Sequence, residues 1–272
     1  VSDERVYLPS IKKDIILTML AKGERLDGRR FDQYRDIKLE KGIVKKADGS
    51  ARVFLGSTQV IAGVKLSVGN PFPDAPNEGV QIVNAELSPL ASPFFKWGPP
   101  GEEDIELARV IDRGFRSARM VDLSRLVIIP GLRAWTLYID IYPLDHGGNL
   151  IDAAGLAALL ALLDTKVPKT AVEDGKVAIL DERDPLPITS LVTYVTIAKI
   201  GEYLILDPSL EEELTADAKL TFGITKSGQI CAIQKSGEGS FKPDEVVKAR
   251  DLALNASKQL FDAVEKILSR QE

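Results

Sequence analysis

Apolar positions recur at helical spacing near the start of this chain, where Ile15, Ile16 and Met19 predict a short helix over residues 12–22. Alternation then takes over. Residues 34–43, 52–55 and 59–66 read as three strands, the last two hinged at Gly56-Ser57-Thr58. Between the first two lies Ala47-Asp48-Gly49-Ser50, whose Asp-Gly pair predicts a tight reversal with positive φ at the glycine. Prolines at 71, 73 and 76, and again from 89 to 100, predict two extended loops around a strand at 80–87. Glu102, Glu103 and Asp104 then open a helix to about residue 120, with acids where the helix dipole favours them. A strand over 132–143 leads to a helix over 150–163, LIDAAGLAALLALL, which is apolar nearly all round and is expected to be buried on several sides. Asn149 stands where it can cap that helix, with Asp152 at its third position.

Residues 166–190 carry turn chemistry and mark a boundary. Beyond it, strands over 191–200, 203–206, 218–224 and 229–234 precede a long helix from Pro243, with Val246, Ala253, Leu260, Val264 and Ile267 on one face. Strands followed by helices occur twice. This order predicts an α+β fold with sheets covered by helices, one domain over residues 1–272 whose halves, about 1–165 and 191–272, are joined by 166–190.

The 272 residues are 44% hydrophobic, enough for a substantial core in one large domain or two fused halves. No apolar run approaches the ~20 residues that span a bilayer, and the first residues lack the basic-then-apolar order of a signal peptide. With one cysteine there is no internal disulfide, so a soluble cytoplasmic protein without membrane contact is expected, with Cys231 as a buried strand thiol. The net charge of −5 speaks against a broad nucleic-acid-binding surface. Any RNA contact must come from a local cationic patch or a surface completed by a partner. The single histidine, His146, excludes a two-histidine metal site and, lying in a loop, is given no catalytic role.

Three places could hold chemistry. Gly147-Gly148-Asn149-Leu150 precedes the apolar helix, and paired glycines before a helix N-terminus suit an anion. Glu211 and Asp217 lie six residues apart in an acid-rich run; paired acids can do metal or proton-transfer work, but such runs are more often solvated loop faces. Arg109, Arg113 and Arg116 stand at i, i+4 and i+7, a stripe whose planar forks suit phosphodiester oxygens. Pairing with Glu106 or Asp112 is the structural alternative for those arginines.

The pattern D-G-R-x-x-D-x-x-R from Asp27, then Gly49-Ser50, then Gly56-x-Thr58 leading into an apolar strand, resembles the opening of the RNase PH family. These are phosphorolytic 3′-to-5′ exoribonucleases and their inactive relatives. The stretches PNEGVQIVNAELSPLASP, GPPGEEDIELARVIDRGFR, LDHGGNLIDAAGLAALLALLDTKVP and LDPSLEEELTADAKLTF resemble its non-catalytic branch in the archaeal exosome core. The resemblance implies a duplicated βαβ-type fold, like ribosomal protein S5 domain 2. Active relatives follow the double glycine with a hydroxyl residue and an arginine; here Asn149 and Leu150 stand instead, so the turn is implied to be a degenerate phosphate site. Glu211 and Asp217 match the family's two acids imperfectly and are implied to be a degenerate acidic site. Arg109, Arg113 and Arg116 lie on the helix that faces the RNA path in that branch. No catalytic residue, metal or cofactor is then expected in this chain. The implied partners are a catalytic RNase PH-like subunit in a ring of three heterodimers, S1-domain caps and single-stranded RNA. Inorganic phosphate and a divalent metal belong to the partner's site. The alternative is that this chain is itself a phosphate-dependent exoribonuclease.

Overall fold

The computed structural model describes the backbone of residues 4–173 and 175–269 and, within them, side chains from Lys12 onward. Helix α1 (Glu4–Leu20) is followed by an irregular stretch and the strands β1 (Ile37–Lys41), β2 (Gly49–Leu55), β3 (Thr58–Gly69) and β4 (Val80–Ala85). Helix α2 (Glu102–Ser117) leads to β5 (Val127–Ile129), β6 (Arg133–Asp145) and helix α3 (Leu150–Asp164). These strands form one sheet ordered β1-β2-β3-β6-β4, with β5 beside β6; β4 runs parallel to β6 and the other neighbours are antiparallel. After β7 (Lys166–Glu173) and β8 (Lys176–Pro185) come β9 (Val192–Ile200), β10 (Tyr203–Leu206), helix α4 (Leu210–Thr215), β11 (Ala218–Thr225), β12 (Ile230–Ser236) and helix α5 (Pro243–Ser269). The second sheet is antiparallel, ordered β10-β9-β11-β12.

Helix α3 packs on β2 and β3 of the first sheet and on β9 of the second. Burial on both sides explains its apolar circumference: every residue from Ala153 to Leu162 is buried. One hydrophobic cluster therefore draws on both halves of the chain. Tyr194 of β9 marks how tightly the layers meet. Its ring lies between Gly155 of α3 and Gly114 of α2, and its hydroxyl donates to Ile111 O at 2.6 Å. A Cβ on Gly155 would stand 2.2 Å from the Tyr194 ring. Gly155→Ala is accordingly expected to cost about 1–3 kcal/mol by overpacking, seen as a lower urea midpoint, and Tyr194→Leu in the same chain should recover part of it.

Four sequence expectations change. Gly49 is a strand residue and not a turn glycine; the chain reverses earlier, with positive φ at Gly42. What demands glycine at 49 is close approach, since a Cβ there would lie 2.4 Å from Ala161 O of α3. Most of residues 166–190, read from their turn chemistry, is regular structure, because β7 and β8 pair as an antiparallel arm over 166–185. Its β8 side chains are nearly all exposed, so no buried face imposed a period on the sequence. Helix α1 is longer than expected and buries Ile16 and Leu20 against Ile200 and Ile205, leaving Ile15 exposed. Cys231 is half-buried, and burial pushes its thiol above the usual range. Among the described residues no helix is long and apolar enough to cross a membrane.

Candidate functional site

The irregular stretch after α1 crosses to the second sheet and is fastened there by three arginines. Arg25, 1% exposed, places Nε and Nη2 on the Glu212 carboxylate at 2.8 and 2.6 Å and donates to the carbonyls of Leu206 and Asp207, each at 2.9 Å. Arg29 and Arg35 both reach Asp207, which is fully buried with φ +50 at the end of β10. Arg35 grips it through Nε at 2.9 Å and Nη2 at 2.7 Å. Asp207 also accepts from Asn149 Nδ2 at 2.8 Å. Such bidentate, charge-assisted contacts are the strong class of hydrogen bond, and buried charges persist only when so paired.

The clasp extends into the double-glycine turn. Arg35 donates to Gly147 O at 2.7 Å and Gly148 O at 3.1 Å. Thr58 donates its hydroxyl to Gly148 O and accepts the Gly147 N–H at 3.2 Å. The Gly148 N–H points at His146 Nδ1, 3.4 Å away. The Asn149 N–H, at the head of α3, donates to Glu213 Oε2 at 2.7 Å. The N–H groups of Gly147, Gly148 and Asn149 thus each have an internal partner, and a carboxylate sits where the dipole of α3 favours an anion. Burial alone would raise the Glu213 carboxyl, but Lys219, the Asn149 N–H and His146 together hold it below the usual carboxylate range. Gly148 fits because the loop before α4 lies on it: φ is +97, and a Cβ would meet Leu210 N at 2.5 Å. Leu150 is half-buried and adds no polar group. The residues present do not suit a bound phosphate.

Two local expectations are corrected at the same place. Asn149 does not cap α3 with its side chain; it adopts φ +55 and spends its amide on Asp152 and Asp207. The acid run is not a solvated loop. Ser209 and Glu212 form a capping box that starts α4, and Glu212 and Glu213 turn inward. The pair singled out from sequence stays near the surface. Glu211 is 3.9 Å from Lys12, and Asp217 lies 2.5 Å from Lys13 while accepting the Gly201 N–H at 2.7 Å. Burial would raise Asp217, but Lys13 and Gly201 hold it low. Each acid already faces a cation from α1, and among the described residues no three His, Cys, Asp or Glu side chains are grouped to hold a metal.

The arginine stripe divides. Arg116 pairs with Asp112, its Nε 2.9 Å from both carboxylate oxygens, and donates to Gln81 O. Glu106 is engaged by Gln234 and Ser236 of β12. Arg109 and Arg113, both exposed, make no ion pair among the described residues. Two guanidinium groups on one face of α2 are thereby free for an external anion.

The comparisons with known proteins agree along the whole chain. Residues 33–168 match the 3′ exoribonuclease family, domain 1, and residues 190–256 match domain 2 of that family. The exosome complex component Rrp42 of Thermococcus kodakarensis is 48% identical over 269 residues, 98% of this chain and 99% of its own. Its counterpart in Sulfurisphaera tokodaii is 51% identical over 258 residues, 94% of each chain. Among solved structures, a chain of the Archaeoglobus fulgidus exosome with RNA bound to the active site superposes with TM-score 0.87 at 44% identity, covering 94% of this chain and 98% of that one. A chain of an archaeal exosome core gives TM-score 0.83 at 41% identity, covering 94% and 97%.

Proposed function

The chain belongs to the 3′ exoribonuclease family, and within it we propose that it serves as a non-catalytic core subunit of an exosome ring. It pairs with a catalytic RNase PH-like chain, three such heterodimers closing the ring beneath S1-domain caps, and helps hold single-stranded RNA while the partner degrades it from the 3′ end. Inorganic phosphate and any divalent metal belong to the partner's residues.

The observation that carries this reading is the Glu213 carboxylate on the Asn149 N–H, 2.7 Å apart, at the turn where a phosphorolytic relative needs an empty cradle. Leu150, where such a relative has an arginine, points the same way. Arg109 and Arg113 supply the unpaired cations for RNA, while Arg116 holds Asp112 and shapes the same surface. In this role the acidic overall charge is no obstacle, because cations are needed only along the RNA path.

The isolated chain, given phosphate and single-stranded RNA, is expected to release no nucleoside diphosphate. Release that Asp217→Ala abolishes would establish the catalytic alternative instead. In the reconstituted ring, Arg109→Ala with Arg113→Ala should weaken RNA binding and lower the slope of log affinity against log salt by about 1.4, two phosphates' worth on a single strand. An unchanged slope would leave the chain a scaffold without RNA contact.

A further inference from the structure

A cavity of about 710 Å³ opens between β4, α2 and the loop over residues 96–100. Phe95, just before the loop that roofs it, and Trp97 within it have opposite fates. Phe95 is buried, stacks on His146 with ring centroids 5.4 Å apart, and donates its N–H to Ser92 O. Two residues on, Trp97 is 77% exposed at the cavity wall, followed by Gly98-Pro99-Pro100. A buried aromatic anchor and two prolines thus hold an indole out in water, where its apolar surface gains nothing from the chain. Tyr142 of β6, 42% exposed, lines the same space.

Charge around the cavity is divided. Arg109 on the α2 wall and Lys96 in the roof are cavity cations that make no ion pair among the described residues. Of the acids, Asp104 is engaged by the N–H groups of Leu87 and Gly101, and Asp112 by Arg116 and Gln81. Glu86 and Asp140, the latter accepting from Asn84 Nδ2 at 3.0 Å through Oδ1, lie beside Tyr142; burial first, and then these two carboxylates, push its hydroxyl above the usual range. A phosphate is attracted to the α2 side and repelled from the β6 side. An uncharged planar ring bearing amino groups meets aromatic faces and carboxylate acceptors there.

We propose that this cavity is a nucleobase subsite, in which Trp97 stacks on one base of a single-stranded RNA whose phosphate lies on Arg109. The proposal rests on the RNA-binding reading of the α2 arginines and adds to it a contact that neutralises no phosphate.

The two contacts separate in one experiment, the affinity of the reconstituted ring for a single-stranded oligoadenylate measured across a range of salt. Trp97→Ala is expected to weaken binding about tenfold with the salt slope unchanged, because stacking is lost and no counterion release is. Trp97→Phe should retain binding to within about threefold. Unchanged affinity in Trp97→Ala overturns the subsite, even where the arginine variants lower the slope as expected. Loss of the ring's mass in Trp97→Ala overturns it too, by making Trp97 a subunit contact. If neither the tryptophan nor the arginine variants alter RNA binding, the RNA-binding reading falls with it.

Discussion

Arg25→Ala is expected to cost about 3–5 kcal/mol of folding stability, the largest single effect among the substitutions considered. Its guanidinium is 1% exposed, and so is the Glu212 carboxylate it pairs with. Truncation removes the cation and strands the anion in the interior. It also takes the side-chain donor from Leu206 O and one of two from Asp207 O, which keeps Arg29 Nη2 at 3.1 Å, where β10 hands over to α4. The pair joins positions 187 residues apart, so its loss loosens the irregular stretch from the second half of the chain. Chemical denaturation of the single variant, of Glu212→Leu and of Arg25→Met/Glu212→Leu separates the parts. The double variant should recover some of the loss, since an apolar pair replaces a buried ion pair at little cost. It should not recover all of it, because Leu206 O still lacks the donor that Arg25 supplied. A single variant as stable as the parent chain would show that the clasp is dispensable.

The same clasp links stability to the reading of the turn. Asp207 anchors Arg29, Arg35 and Asn149, and α4 begins three residues later with the helix that carries Glu213. The carboxylate on the Asn149 N–H is therefore placed by a buried network and not by a mobile surface loop. Its position is fixed by folding itself. That is why a closed anion turn, more than the loss of a catalytic acid, is the feature that argues against phosphorolysis by this chain.

Much of this was legible in the primary structure, and the failures share a cause. Strand β10 falls on the apolar run 203–206, and the all-round burial of α3 follows from LIDAAGLAALLALL. Leu150 announced the missing guanidinium. Gly49 misled because Asp-Gly is a local hairpin signal, whereas the constraint on that glycine comes from a helix more than 110 residues away. Arm β7–β8 was hidden because side chains exposed on both faces impose no period. The acid run read as solvated because nothing near it in sequence reveals that Arg25, 187 residues away, supplies the counter-charge of Glu212. Within Asp27-Gly28-Arg29-Arg30 three residues are exposed as their charge and glycine suggest, but the Arg29 side chain is 9% exposed and bound to Asp207.

Stability is expected to fall as pH rises from about 4 to 7, and Asp152 is the reason. Its carboxyl is 1% exposed in the first turn of α3, between the two sheets. It accepts from Asn149 Nδ2, the Tyr34 hydroxyl, and the N–H and hydroxyl of Thr196, at 2.7–3.0 Å. Burial outweighs these donors and carries its pKa up to about 7. A raised carboxyl means that, between its unfolded and folded values, the native state binds the extra proton and unfolding releases it. Stability from this group is therefore full at low pH and lost toward neutrality, a difference of about 4 kcal/mol for a shift of about three units. The depressed carboxylates Glu213, Asp48 and Asp217 work the other way, but their contributions are lost only as pH falls below about 4. His146, lowered by burial, also opposes Asp152, gaining stability as pH rises toward 6.5. Urea midpoints at pH 5 and pH 7.5 are the measurement, made on the parent chain and on Asp152→Asn. The variant should be weaker at pH 5, where its amide group faces the Tyr34 and Thr196 donors, yet nearly flat or slightly rising across the interval. A parent chain as steep as the variant would mean that Asp152 keeps its charge through folding, held by its four donors against the surrounding core.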